Sequence, residues 1–271
     1  MRIRIVDAFT DRPFAGNPAG VVLLDAGPFP GDDRLQRVAA EVNLPETAFA
    51  HPLPAEADWA LRWFTPATEV NLCGHATLAT AHVMHTTGMA TGTVRFTTRS
   101  GVLTVRTAAD GTVTLDFPTA PLTETADGGE AGAALGAEVL AAYDTGENVG
   151  DLLVELADEK TVRALTPDLA AVARLPHRGV IVTARAAEGN GTYDYVSRFF
   201  GPAVGIDEDP VTGSAHTALA PLWSARLGRD TLTGLQASAR TGLVRTTLRG
   251  ERTLLTGRAV TVVDGELLTG L

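Results

Sequence analysis

Apolar and polar positions alternate with a period of two over many short stretches, and only a few windows switch to helical spacing. The alternation predicts strands over Ile3–Phe9, Trp59–Phe64, Val113–Phe117, Leu152–Leu156, Val180–Thr183, Tyr193–Phe200, Leu243–Arg249, Thr253–Thr256 and Ala259–Val263. Thr93–Thr98 and Gly101–Arg106 read as a hairpin across Arg99-Ser100, and Val21–Leu24 as a short buried strand. Asp264-Gly265 reads as a turn before Leu267-Leu268. Pro45 breaks the chain, which puts Glu46 at the start of a strand through Thr47–Ala50.

Three long helices are expected. The first is capped by Asp32/Asp33 and runs to about Val42, with Leu35, Val38, Ala39 and Val42 on one face. The second runs from Gly74 to His85 and ends at Gly88; the third runs from Gly213 to Leu227 and ends at Gly228. A short fourth helix is placed with Thr166 as N-cap and Pro167 first. Thr119 to Gly136, poor in apolar residues, reads as a linker.

The chain repeats itself. Gly74-His75-Ala76-Thr77-Leu78-Ala79-Thr80-Ala81 returns as Gly213-Ser214-Ala215-His216-Thr217-Ala218-Leu219-Ala220, an offset of 139. Arg62-Trp63-Phe64-Thr65-Pro66-Ala67 falls on Arg198-Phe199-Phe200-Gly201-Pro202-Ala203 at 136, and Glu46-Thr47-Ala48-Phe49 falls on Val182-Thr183-Ala184-Arg185 at the same offset. Arg99-Ser100-Gly101-Val102 meets Arg240-Thr241-Gly242-Leu243 at 141. Ordered matches with slowly drifting offsets predict an α+β protein of two pseudo-symmetric domains, residues 1–118 and 119–271. Each would be a β-barrel-like antiparallel sheet wrapped around a central helix, and the last strand is a candidate to return to the first domain.

Composition narrows the function classes. The chain of 271 residues is 45% hydrophobic and 20% charged, an ordinary globular balance. A formal net charge of -10 argues against nucleic acid or an anionic membrane as partner. Met1–Asp7 alternates like a strand rather than a signal peptide, and no run is long enough to span a membrane. A lone cysteine, Cys73, excludes an intramolecular disulfide and fits a reducing compartment, so a cytoplasmic location is expected.

The chemistry concentrates at the two repeated helix entrances. First-turn amides lack intrahelical partners and favour an anion, and Gly74 and Gly213 let a ligand approach the backbone. Pseudo-twofold symmetry would bring the two entrances face to face across a cleft that holds a carboxylate and stabilises enolate-like charge. Glu46 is the candidate general acid/base because its repeat mate, Val182, carries no acid. His75, in the first turn, and Asp209, before Pro210-Val211-Thr212-Gly213-Ser214, are candidates to assist. Gly74, His75, Gly213 and Ser214 are candidates to bind the carboxylate. Cys73-Gly74-His75 has the look of half a two-thiol racemase site, but one cysteine cannot supply two thiols, and Cys73 reads as packing. His75, His82 and His85 do not have metal-site spacing, and no nucleotide loop is present, so neither metal nor cofactor is expected.

These residues resemble the PhzF-like phenazine-biosynthesis isomerases, of the diaminopimelate epimerase fold. The resemblance rests on Val6-Asp7-Ala8-Phe9-Thr10-Asp11-Arg12-Pro13-Phe14-Ala15-Gly16-Asn17-Pro18, on Asn43-Leu44-Pro45-Glu46-Thr47-Ala48-Phe49, on Cys73-Gly74-His75-Ala76-Thr77 and on Asp209-Pro210-Val211-Thr212-Gly213-Ser214-Ala215. It implies Glu46 as general acid/base with His75 and Asp209 assisting, no cofactor, a homodimer, and isomerisation of a small unsaturated carboxylic acid. That substrate would be of the trans-2,3-dihydro-3-hydroxyanthranilate type or another natural-product intermediate, as in antibiotic biosynthesis. Pro45 and Cys73 depart mildly from the family's usual residues. The alternatives are an epimerase or racemase of an amino or hydroxy acid, and a non-catalytic ligand-binding member of the fold.

Overall fold

The computed structural model describes residues 1–54 and 58–268. In chain order the strands and helices are β1 (Arg2–Ala8), β2 (Asn17–Leu23), α1 (Asp32–Val42), β3 (Glu46–Pro52), β4 (Trp59–Phe64), β5 (Glu69–Val70) and α2 (Gly74–Thr86). Next come β6 (Gly92–Thr98), β7 (Gly101–Thr107), β8 (Val113–Pro118), β9 (Thr123–Glu124), α3 (Gly128–Leu135), β10 (Ala141–Asp144) and β11 (Asp151–Glu155). Then follow α4 (Glu159–Ala164), α5 (Leu169–Val172), β12 (Gly179–Arg185), β13 (Tyr195–Phe200) and α6 (Gly213–Leu227). The chain ends with β14 (Thr231–Gln236), β15 (Gly242–Arg249), β16 (Arg252–Gly257) and β17 (Ala259–Glu266).

Two compact units form, Met1–Asp116 with Thr256–Leu271, and Phe117–Leu255. The second therefore ends at Leu255, and β17 pairs with β1 inside the first unit, Arg2 opposite Glu266 and Ala8 opposite Ala259. Asp264 and Gly265 continue that strand instead of turning. Residue 271, the expected end of the second domain, lies outside the described residues.

Both units use the same order of strand pairings. In the first, β2 runs parallel to β3, β3 antiparallel to β4, β4 parallel to β6, and β6 antiparallel to β7. In the second, β11, β12, β13, β14 and β15 repeat that order. The sheets are thus mixed, not wholly antiparallel. The reason is connectivity: parallel neighbours need a crossover, and α1 and α2 in the first unit and α4–α5 and α6 in the second lie in those crossovers.

Strand register also corrects the repeat. Thr47 faces Phe64 across β3 and β4, whereas Val180 faces Phe200 across β12 and β13. Phe64 and Phe200 correspond at 136, so Thr47 corresponds to Val180 at 133, and Glu46 to Gly179. The sequence match had slipped by three residues onto Val182. A side chain has no room at Gly179, where a Cβ would lie 2.5 Å from Phe199 Cζ and 2.8 Å from the Phe200 carbonyl oxygen.

The helices α2 and α6 are buried on nearly all sides, which explains their small residues. α2 packs against β1, β2, β3, β7 and β17. Its buried hydroxyls bond back along the helix, Thr77 to the Cys73 carbonyl at 2.6 Å and Thr80 to the Ala76 carbonyl at 2.7 Å. In α6, Pro221 withholds the amide that the Thr217 carbonyl would accept from. The Ala120 amide donates to that carbonyl instead, at 3.3 Å.

That bond places part of the expected linker in the core. Within the same stretch, Ala131, Ala134 and Leu135 of α3 are buried against Val154, Val180 and Val182. Low apolar content had hidden a helix whose small residues are its packing surface. The Thr166 cap is likewise corrected: α5 starts at Leu169, with the Asp168 carboxylate accepting from the Ala171 amide. Asp32 and Asp33 lie in the first turn of α1 behind Gly31, favourably placed for the helix dipole but not capping it.

A charged strap recurs in both units. Arg62 of β4 makes two bonds to Glu69, 2.7 and 2.6 Å long, and its guanidinium lies over Phe64. Arg198 of β13 does the same with Glu208, at 2.7 and 2.9 Å, over Phe200. Glu69 and Glu208 each stand five residues before their helix, so each strap fixes the loop that enters it. Arg62 is held more firmly protonated by its bonds to Glu69 despite partial burial. Glu69→Gln is expected to lower stability by about 1–3 kcal/mol in denaturant titration, since it leaves a half-buried guanidinium short of its partner.

Candidate functional site

Glu46 is the first residue of β3, set there by the break at Pro45, and its side chain is only 13% exposed. His75 enters from the first turn of α2 and is buried. Its Nε2 stands 3.1 Å from Glu46 Oε2. That oxygen is buried, and no donor is well aligned with it, so the contact is one of charge and leaves its lone pairs for a proton or a ligand.

The third member is Cys73, the N-cap residue of α2, whose Sγ lies 3.6 Å from His75 Nδ1 and 4.0 Å from Nε2. The fourth is Asn17, whose Nδ2 lies 3.2 Å from His75 Nδ1. Asn17 opens β2 and is aimed by the preceding loop. Gly16 there has a positive φ of 66°, and a Cβ on it would lie 2.1 Å from the Ala8 carbonyl oxygen. Asp7 secures the same loop by accepting from the Phe14 amide at 2.7 Å. A half turn of the Asn17 amide exchanges nitrogen for oxygen at Nδ1, so Asn17 can serve either protonation state of the ring.

The electrostatics follow from burial and proximity. Burial pushes the Glu46 carboxyl up, but the charge of His75, with the close polar approach of His75 and Cys73, outweighs it and leaves the group below its ordinary value. Burial opposes a charge on His75, yet its acidic neighbours hold it well above the usual imidazole value. Cys73 is itself pushed up to about 11, by burial and then by Glu46, so at neutral pH it is an uncharged thiol. Glu46 is therefore the charge that keeps the proton on His75. The site is a carboxylate–imidazolium pair in a dry setting.

The second unit holds the other candidates. Asp209 is buried before α6, accepts from Thr212 Oγ1, and donates its own amide to the Phe199 carbonyl. Gln236 clasps this turn, donating to the Asp209 carbonyl at 2.8 Å and accepting from the Thr212 amide at 2.9 Å. Ser214 accepts from Arg178 Nη2 at 3.0 Å, and that guanidinium also grips the buried Asp151 carboxylate at 2.9 and 2.6 Å. Burial pushes Asp151 up to about 6 in spite of this partner. Neither N-cap residue, Cys73 nor Thr212, gives its helix a side-chain cap bond.

The fold thus brings Glu46 and His75 together from segments 29 positions apart. Asp209, Gly213 and Ser214 share the entrance of α6. Sequence reasoning missed Asn17 and Arg178. Gly16-Asn17-Pro18 lies in the opening stretch that carries the family resemblance, and Arg178 precedes the glycine that matches Glu46; neither could be placed without the register. His82, considered for a metal, bonds to Thr261 Oγ1 at 3.1 Å.

The pair predicts a pH dependence. Activity that needs ionised Glu46 falls away only below about 4.5, as its lowered carboxyl takes up a proton, and activity that needs protonated His75 is lost only above about 6.5. In His75→Asn burial is no longer opposed by charge, so the acid limb of the pH–rate profile moves upward. Stability falls by on the order of 3 kcal/mol, because a buried carboxylate loses its partner.

Comparison with known proteins adds a family. Residues 6–265 match the model of the family described as phenazine biosynthesis-like protein, PhzC–PhzF. An uncharacterized isomerase of Pseudomonas aeruginosa is 49% identical over 266 residues, covering 97% of this chain and 96% of that protein. A PhzF-family crystal structure from Enterococcus faecalis superposes with a TM-score of 0.91 at 40% identity, covering 99% of each chain. A hydroxyproline epimerase of Agrobacterium vitis, 14% identical with a TM-score of 0.59 over 98% of this chain and 91% of its own, shares the fold alone. The α+β fold is therefore the epimerase-like one, and the chain belongs to the phenazine biosynthesis-like family as an enzyme of the isomerase class.

Proposed function

We propose that the protein is a cofactor-independent isomerase that moves a proton, and with it a double bond, within a small unsaturated carboxylic acid. The observation that carries this reading is the Glu46 carboxylate, almost wholly buried, with an oxygen free of aligned donors and an imidazole 3.1 Å away. Stability alone gives little reason to bury a charge in this way. A proton shuttle requires it: a fixed base, shielded from water, beside a group that can balance charge.

In this reading Glu46 removes a proton from a carbon next to the conjugated system and returns it at another position. The His75 imidazolium offsets the negative charge that develops as the enol or enolate forms. Gly74 and His75 present first-turn amides to the substrate carboxylate, and Gly213 and Ser214 are assigned the same task in their own unit. Asp209 assists proton transfer. The substrate class includes trans-2,3-dihydro-3-hydroxyanthranilate and related natural-product intermediates, as in antibiotic biosynthesis. Cytoplasmic location and a homodimer complete the proposal. Among the described residues no helix is long and apolar enough to cross a membrane.

Incubation with trans-2,3-dihydro-3-hydroxyanthranilate in deuterium oxide tests the reading. The wild-type enzyme is expected to give isomerised product carrying solvent deuterium. Glu46→Gln keeps the fold but loses about 10²-fold to 10⁴-fold in rate. Full turnover by that variant would refute the role of Glu46. Inversion of a stereocentre without double-bond migration, read by chiral chromatography, would point to epimerisation.

A further inference from the structure

The cluster at the entrance of α2 has a second chemical capacity. Cys73 Sγ, one ring nitrogen of His75 and one carboxylate oxygen of Glu46 all lie within 4.8 Å of one another. Ligand bonds of about 2.0–2.3 Å place neighbouring donors of a tetrahedral ion about 3.3–3.8 Å apart. Here Nε2 is 3.1 Å from Oε2 and 4.0 Å from Sγ, so two edges of one face of such a tetrahedron are already met to within a few tenths of an ångström, and the third donor pair lies within 4.8 Å. The Glu46 oxygen is buried and lacks an aligned donor, which leaves it available as a ligand.

The surroundings suit an ion as well. Asn17 touches Nδ1, the ring nitrogen not needed for ligation, and with its amide oxygen turned inward it would hold a proton there and aim Nε2 at the metal. In the second unit Thr212 and Ser214 stand where Cys73 and His75 stand, and Gly179 where Glu46 stands, so the repeat does not reproduce the donors.

We propose that Cys73, His75 and Glu46 form a three-ligand site for a soft or borderline divalent cation, Zn2+ foremost, with a fourth position left open. On binding, the Cys73 thiol and the His75 imidazolium each give one proton to solvent, and the thiolate and the Glu46 carboxylate neutralise the two positive charges of the ion. An ion held there occupies the carboxylate and would block proton transfer. That consequence rests on the proposed function; the binding itself does not.

The test is equilibrium dialysis of the full-length chain against Zn2+ alone, followed by replacement with Co2+ and absorption spectroscopy. The wild-type protein is expected to hold one ion per chain, and its Co2+ form to show a thiolate-to-metal charge-transfer band. Cys73→Ser, checked for folding by circular dichroism, abolishes the band and weakens binding by at least about 100-fold. Asn17→Ala weakens it by about 10-fold to 100-fold. A Co2+ form of the wild type without that band, or undiminished Zn2+ binding in folded Cys73→Ser, overturns the proposal. Both results are independent of whether Glu46 is the acid/base.

Discussion

A carboxylate taken out of water must be compensated nearby, and in this fold the compensation for Glu46 comes from one imidazole. Its Coulomb attraction over 3.1 Å is strong because little solvent intervenes. In the proposed proton transfer, the same burial that makes the pair costly would make its charges useful, since neither would have to shed water first. The arrangement around it serves this one contact. Pro45 starts β3 at Glu46, Gly74 starts α2 so that His75 falls in its first turn, and Gly16 turns the loop that brings Asn17 against the ring.

The two units show how a repeated scaffold carries unequal chemistry. Pairing order, crossover helices and Arg–Glu straps agree between them, and these are the elements that position a helix entrance. The side chains at the entrances differ. Where the first unit has Glu46 at the head of β3, the second has Gly179, whose site is filled by Phe199. Where the first has His75, the second has Ser214, held by Arg178 and Asp151. A buried carboxylate paired with an imidazole belongs to one half, and the other half presents a hydroxyl held by a guanidinium that is itself paired with Asp151.

Much of this was legible in the sequence because it rests on local signals. Proline and glycine punctuation gave the start of β3 and both ends of α6, and the self-match of small-residue helices gave the two-unit architecture. What escaped depends on non-local pairing. The parallel neighbours were hidden because a strand's own alternation does not reveal its partner's direction. The three-residue slip at Glu46 arose because Thr-Ala occurs in both strands, and only the ladder with β4 or β13 fixes which residues correspond. Alanine and glycine signal low hydrophobicity and make α3 look like linker, while in the structure they are what lets it pack closely. Asn17 and Arg178 are polar residues whose meaning lies in a neighbour far along the chain.

The chemistry of the site depends on Glu46 and His75 forming a charged pair at neutral pH. Nitrogen-15 NMR of the histidine rings, titrated in the wild type and in Glu46→Gln, tests it most directly. The His75 imidazole is expected to be doubly protonated at pH 7 in the wild type and, with the neighbouring charge removed and only burial left, to become neutral in the variant. A neutral His75 ring at pH 7 in the wild type, or a titration unchanged by Glu46→Gln, would contradict it.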